Sequence, residues 1–129
     1  MRTSRYVVDS WAWIEYLDGT QAGNEVRSKL EKSKIFTNSV TIAEVISRAA
    51  RRGKDPNVAL EAILSYSDIV EVEETLAKEV GLTHAEIKKS RSNFSLADAF
   101  ALQTARRYRA RVLTGDPDFK GLKEATMIK

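Results

Sequence analysis

Residues 5–10 read Arg5-Tyr6-Val7-Val8-Asp9-Ser10, and the fold turns on this stretch. Tyr6, Val7 and Val8 form a β-prone run without polar alternation, the pattern of a strand buried on both faces of a parallel sheet. The run stops at Asp9. Asp9 or Ser10 then suits the cap of a short helix carrying Trp11, Ile14 and Leu17, and Asp18-Gly19-Thr20 ends that helix in a turn.

The same alternation repeats outward from this start. Residues 22–32 read as a helix, with Val26 and Leu30 four apart, and Ile35-Phe36-Thr37 as a second strand. Residues 41–52 form a helix with Ile42, Val45, Ile46 and Ala49 on one face, stopped by Gly53. Pro56 opens another, at the position proline tolerates best. Ile69-Val70-Glu71-Val72 is the third strand. A helical region over 73–89 follows, with a break expected at Gly81-Leu82-Thr83. Residues 88–93 read as a polar, basic loop. Ser95 caps a helix through Tyr108, Arg111-Val112-Leu113-Thr114 is the fourth strand, and residues 125–128 a fifth at the edge. Strands separated by helices imply parallel pairing through crossovers, hence an α/β class three-layer sandwich in one domain over 1–129.

Composition narrows the chemistry. The 129 residues are 43% hydrophobic and 30% charged, as in a globular chain able to bury a core unaided. The absence of cysteine excludes disulfides, a thiol nucleophile and thiolate metal sites. The single histidine, His84, excludes a His-rich metal site and, alone in a polar helix, is given no role. Any metal chemistry rests on oxygen ligands, which suit magnesium, manganese or calcium. No signal peptide or membrane span is read, since Asp9, Ser10 and Glu15 interrupt the first apolar stretch, so the expected location is cytoplasmic.

Sites in such sheets form beyond the carboxyl ends of the strands. Asp9 follows the first strand and Asp116 the fourth. Glu44 is expected in the first turn of the helix after the second strand, and Asp98 in the first turn of the helix before the fourth. A parallel sheet brings all four to one end. Singly, each is explained by a helix dipole or a turn. Together they repel, and Asp98 sits among Leu96, Ala97, Ala99 and Phe100, where an unpaired charge is costly. A divalent cation resolves both problems. It also acidifies a bound water and neutralises charge on a phosphodiester.

The segments Val7-Val8-Asp9-Ser10, Ser39-Val40-Thr41-Ile42-Ala43-Glu44-Val45, Leu96-Ala97-Asp98-Ala99-Phe100-Ala101 and Leu113-Thr114-Gly115-Asp116-Pro117-Asp118-Phe119 resemble, in order and spacing, the PIN-domain ribonucleases. Within them, the chain is similar to VapC-type toxins of toxin–antitoxin pairs. The resemblance implies a parallel sheet of order 3-2-1-4-5 and a Mg²⁺- or Mn²⁺-dependent endoribonuclease. It implies metal-binding and catalytic roles for Asp9, Glu44, Asp98 and Asp116, with Asp118 as an additional acid found in some members. Thr114 matches a hydroxyl that orients the last aspartate, and Ser10 is expected to support Asp9. The partners implied are RNA, a cognate antitoxin protein and a second copy of the chain in a homodimer.

The net charge is +3, from 21 basic and 18 acidic residues, so cations near the pocket must meet RNA. Lys88, Lys89 and Arg91, just before the Asp98 helix, are the favoured RNA-binding cluster. Arg48, Arg51, Arg52 and Lys54 are a second candidate, and Arg106, Arg107, Arg109 and Arg111 read as a solvated face. Trp11 and Trp13 suit base stacking or a protein partner, with core packing the simpler reading for at least one. Rival functions are a housekeeping nuclease of the same family and a catalytically inactive binding module. A phosphoacceptor receiver domain needs an aspartate ending the third strand, where Val72-Glu73-Glu74 stands. A dehalogenase-type phosphatase needs Asp-x-Asp after the first strand, where Trp11 occupies the second position.

Overall fold

The computed structural model describes residues 3–129. Strands β1 (Arg5–Val8), β2 (Lys34–Asn38), β3 (Ser67–Val70), β4 (Arg111–Thr114) and β5 (Ala125–Met127) form one parallel sheet in the order β3-β2-β1-β4-β5. This is the α/β architecture and the strand order that the resemblance implies. All strands run the same way, so Asp9, Asn38 and Thr114 lie at the same end of the sheet.

Successive side chains of a strand point to opposite faces. Tyr6, Val8, Ile35 and Leu113 face helices α1 (Ser10–Asp18), α2 (Gln21–Lys32), α3 (Ser39–Arg51) and α4 (Pro56–Tyr66), packing with Trp13, Val26, Leu30, Val45 and Ile63. Val7, Phe36 and Val112 face α5 (Glu74–Lys88) and α6 (Leu96–Tyr108), packing with Leu76, Val80, Ala99, Leu102 and Ala105. Both faces of the central strands are therefore apolar, which is why β1 and β4 show no polar alternation. Each such side chain contributes about 1.5–3 kcal/mol of burial.

Two contacts fix the α1 side of the sheet. Trp13 is fully buried, and its indole Nε1 donates to Thr37 Oγ1 at 3.1 Å, while Thr37 Oγ1 lies 2.8 Å from Ser67 Oγ. Trp13 is thus core, and its polar atom has a partner. Gly23 lets α2 cross close under α1: a Cβ there would stand 2.0 Å from the Glu15 carbonyl oxygen.

The structure departs from sequence expectation in four places. Helix α5 continues through Gly81 without a break, because Leu76 and Val80 bury its face and outweigh the roughly 1 kcal/mol helix cost of glycine. Strand β3 starts two residues earlier, at Ser67, and ends at Val70, where the ladder with β2 ends. The Val72 amide instead donates to Ser39 Oγ at 3.3 Å. Helix α3 starts at Ser39 rather than Thr41, because the Asn38 side chain caps it by accepting from the Thr41 amide at 2.9 Å. His84 is half-buried with Nε2 3.1 Å from the Phe94 carbonyl, so it links α5 to the segment leading into α6.

Candidate metal centre

Asp9 is the first residue beyond β1. The pairing of Val8 with Leu113 sets it beside Thr114, and its amide donates to the Leu113 carbonyl at 3.4 Å. One carboxylate oxygen accepts from the Ala12 amide at 2.9 Å, so Asp9 is the N-cap of α1. It is only 7% exposed. Burial pushes its pKa up to about 7, with the charges of Asp116 and Asp98 adding to the rise. Hydrogen bonds from Thr114 and the Ala12 amide oppose it.

Asp98 is the third residue of α6 and closes a capping box. Its carboxylate accepts from the Ser95 amide at 2.9 Å, while its own amide donates to Ser95 Oγ at 3.0 Å. Asp116 caps a single turn of 3₁₀ helix (Pro117–Phe119): its Oδ1 accepts from the Asp118 amide at 2.9 Å. The Asp116 amide donates to Thr114 Oγ1 at 3.0 Å. Thr114 therefore serves both Asp9 and Asp116. Each of these three acids has one oxygen fixed by a backbone amide, which restrains its position without neutralising it.

Asp98, Asp116 and Asp118 each bring a carboxylate oxygen within 4.8 Å of the others, and all three are half-buried. Asp118 is thus one of the tight group, and its sequence signal was the Asp-Pro-Asp turn. Asp9 lies outside that group of three but close enough for its charge to register. Glu44 lies outside it as well. It stands in the second turn of α3, because the helix starts at Ser39, so the dipole of the first turn does not account for it. Burial raises the Glu44 pKa, as does the charge of Asp98, and the Ser10 hydroxyl opposes the rise. Ser10 thus lies next to Asp9 in the chain and also faces Glu44. Burial likewise raises Asp98, with the charges of Asp116 and Asp118 adding to it against the Ser95 hydrogen bonds.

The loops behind these acids are stapled together. Phe94 and Phe119 are fully buried and meet edge to face, 5.4 Å between centroids. Arg91 donates through Nη1 to the carbonyls of Asp118 at 3.1 Å and Lys120 at 2.7 Å, tying the entry of α6 to the Asp116–Asp118 turn. Its guanidinium is engaged within the protein. Lys88 donates to the Ser92 carbonyl at 2.9 Å and Lys89 pairs with Glu86 at 3.0 Å, so the 88–93 segment is internally bonded. Gly115 has no room for a side chain, since a Cβ would stand 2.2 Å from the Trp11 ring. Asn38, missed by the sequence reading, also donates to Thr104 of α6 at 3.4 Å. That bond sets α3, which carries Glu44, against α6, which carries Asp98. An Asn directly after the apolar run Ile35-Phe36-Thr37 and directly before a helical pattern, the place of an N-cap, was the available signal.

None of Asp9, Glu44, Asp98, Asp116 or Asp118 has an ion-pair partner among the described residues. Uncompensated, oxygen-only and partly buried, the group fits a hard divalent cation such as Mg²⁺ or Mn²⁺, which takes oxygen ligands from one or two carboxylates and keeps waters.

The PIN domain family profile matches residues 6–125 of this chain. A comparison with curated proteins gives no match. Among solved structures, a toxin–antitoxin complex from Klebsiella pneumoniae superposes with a TM-score of 0.73 at 19% identity, covering 96% of this chain and 98% of that one. VapBC2 from Rickettsia felis, bound to a promoter DNA fragment, gives 0.73 at 15% identity over 95% and 96% of the two chains. The sarcin–ricin-loop-cleaving toxin VapC20 from Mycobacterium tuberculosis gives 0.73 at 15% identity over 92% and 95%. These likenesses are likenesses of fold. Among the described residues, no helix is long and apolar enough to cross a membrane.

Proposed function

The chain belongs to the PIN domain family, and from that premise we propose that it is a divalent-metal-dependent endoribonuclease, the toxin of a toxin–antitoxin pair. The observation that carries the reading is the approach of Asp98, Asp116 and Asp118 within 4.8 Å with no ion-pair partner among the described residues to offset them. In this proposal these three acids, with Asp9 beneath them, hold Mg²⁺ or Mn²⁺. The ion, when bound, polarises the phosphodiester and acidifies water. Glu44 stands apart from the three-oxygen group with a raised proton affinity, which suits it to accept a proton from water entering the cleft. Thr114 and Ser10 orient the acids on either side.

The antitoxin part of the proposal draws support from a groove of about 280 Å³ between α1, α3 and α4. Ile14, Leu17, Val45, Ala49 and Ala59 line it, and Val58 stands at its mouth, 60% exposed. Such a groove suits the apolar face of a partner helix. The remaining parts of the proposal are an RNA substrate, a second copy of the chain as dimer partner, and action in the cytoplasm.

The test is cleavage of end-labelled structured RNAs by the purified protein with Mg²⁺ or Mn²⁺, with EDTA and Asp98→Asn run beside it. The expected result is metal-dependent cleavage that EDTA abolishes and Asp98→Asn lowers at least about 100-fold, the scale of losing a group that stabilises developing charge. Circular dichroism of the variant should be unchanged. Cleavage that survives either control overturns the reading.

A further inference from the structure

We propose that the cleft leading from Glu44 along α3, walled by Arg48 and Arg51, is a subsite for the RNA phosphates flanking the scissile bond. The inference rests on the nuclease reading above and gives its substrate a path. The cleft measures about 420 Å³ and is lined by Ser10, Ile14, Glu44, Ser47, Arg48 and Arg51, together with Ala43. Positions 44, 48 and 51 share one face of α3. At about 1.5 Å rise per residue, the two arginines stand about 6 and about 10.5 Å along the helix from Glu44. That places two positive charges in a row leading away from Glu44, spaced to meet successive phosphates of one strand.

These two arginines differ from their neighbours along the chain and from the cations of the 88–93 segment in that no acidic side chain or carbonyl among the described residues engages their charge. Both are exposed, and neither has an ion-pair partner among the described residues. Arg52 and Lys54, next along the chain, both bind Asp18, at 2.8 and 2.7 Å. Arg91 is held by two carbonyls, Lys89 by Glu86, Arg106 by Glu124, and Arg107 by Glu73 and Glu79. Arg51 is steadied only through Nε, 3.3 Å from Ser47 Oγ, which leaves the two terminal nitrogens for an outside acceptor. A guanidinium held this way presents a preformed fork, the geometry that matches phosphate. Ile14 and Ala43 supply an apolar floor, and the hydroxyls of Ser10 and Ser47 complete the walls.

The test separates binding from cleavage. Binding of a fluorescent single-stranded RNA is measured by anisotropy in EDTA across a salt series, for the wild-type protein, for the double variant Arg48→Gln/Arg51→Gln and for Lys88→Gln/Lys89→Gln. The expected result is binding weakened about tenfold or more in the first double variant only. Its slope of log K against log salt should be flatter by about 1.4, from about 0.7 per phosphate on a single strand. Mn²⁺ affinity, read by electron paramagnetic resonance, stays at the wild-type value. Unchanged affinity and slope overturn the proposal and leave the two arginines to an acidic protein partner. An equal loss in the Lys88/Lys89 variant, or no RNA binding by the wild type, also overturns it. Because no metal is present in the binding arms, failure of metal-dependent cleavage with the expected binding pattern strikes the nuclease reading and spares the subsite.

Discussion

The two ends of the sheet treat charge in opposite ways. Where the strands begin, several charges are partnered: Lys34 with Asp68 across β2 and β3, Arg106 with Glu124 ahead of β5, and Arg5 with the Tyr108 carbonyl at 2.9 Å. Where the strands finish, Asp9, Glu44, Asp98, Asp116 and Asp118 share one region without a single basic partner among the described residues. Without those five acids the chain would carry 21 basic and 13 acidic residues, a net +8. The molecule has cations in excess, yet none of those described pairs with these five acids. A fold selected only for stability would not leave that arrangement, because repulsion and burial of like charges both oppose it.

That contrast can be broken at either end. The largest effect is expected at Asp9 in metal-free protein. The native state favours the neutral carboxyl, so its stabilising contribution is full below the ordinary pKa of 3.8 and is lost as pH rises through about 7. Urea unfolding in EDTA should therefore show wild-type stability falling between about pH 4 and about pH 7 and levelling off above that. Asp9→Asn, which keeps the cap oxygen for Ala12, should flatten that slope and gain up to about 4 kcal/mol at pH 8, at about 1.36 kcal/mol per pH unit. A slope that persists in the variant would remove Asp9 from the account.

A middle-sized effect is expected from Arg91, which holds the backbone carbonyls of Asp118 and Lys120 but pairs with none of the carboxylates. Arg91→Ala should weaken Mn²⁺ binding about 10- to 100-fold, the range for a residue that orients ligands without being one. Arg91→Lys should recover part of the loss, and titration followed by electron paramagnetic resonance reads both. Equal affinities would mean that the Phe94–Phe119 contact alone holds the loops.

The smallest effect is expected at the paired end. Lys34 and Asp68 are exposed, at 48% and 61% of their side chains, and such pairs are worth about 0–1 kcal/mol. Lys34→Gln should move the urea midpoint slightly and leave cleavage and metal binding unchanged. A substantial loss of cleavage would mean that the two ends are coupled through the sheet.

Much of the fold could be read from the chain because the two central strands, Tyr6-Val7-Val8 and Val112-Leu113-Thr114, are buried on both faces and show it in their composition. Asp9 and Asp116 were legible for the same reason, since strand ends locate them. The errors have local causes. Glu44 was placed one turn too early because the capping oxygen belongs to Asn38, whose role depends on where β2 ends. A break at Gly81 was expected because glycine propensity is visible in a sequence, whereas the burial of Leu76 and Val80 that overrides it is not. The 88–93 segment looked like free basic loop because its hydrogen bonds, Arg91 to Asp118 and Lys120 above all, join positions nearly thirty residues apart. Asp118 joined the tight acidic group through the Asp116 cap, a geometry of one turn that residue type alone does not specify.

The contact between Gly115 and Trp11 has an optical consequence. The chain has two tryptophans. Trp13 is sealed in the core with its indole nitrogen bonded to Thr37, while half-buried Trp11 lies against the residue that precedes Asp116. The two emitters thus report on different things: one on whether the protein is folded, the other on the polarity and electric field beside the carboxylates. With Trp13→Phe to silence the first, the remaining fluorescence becomes a label already installed at the mouth of the site, able to follow ion or strand arrival without any attached dye.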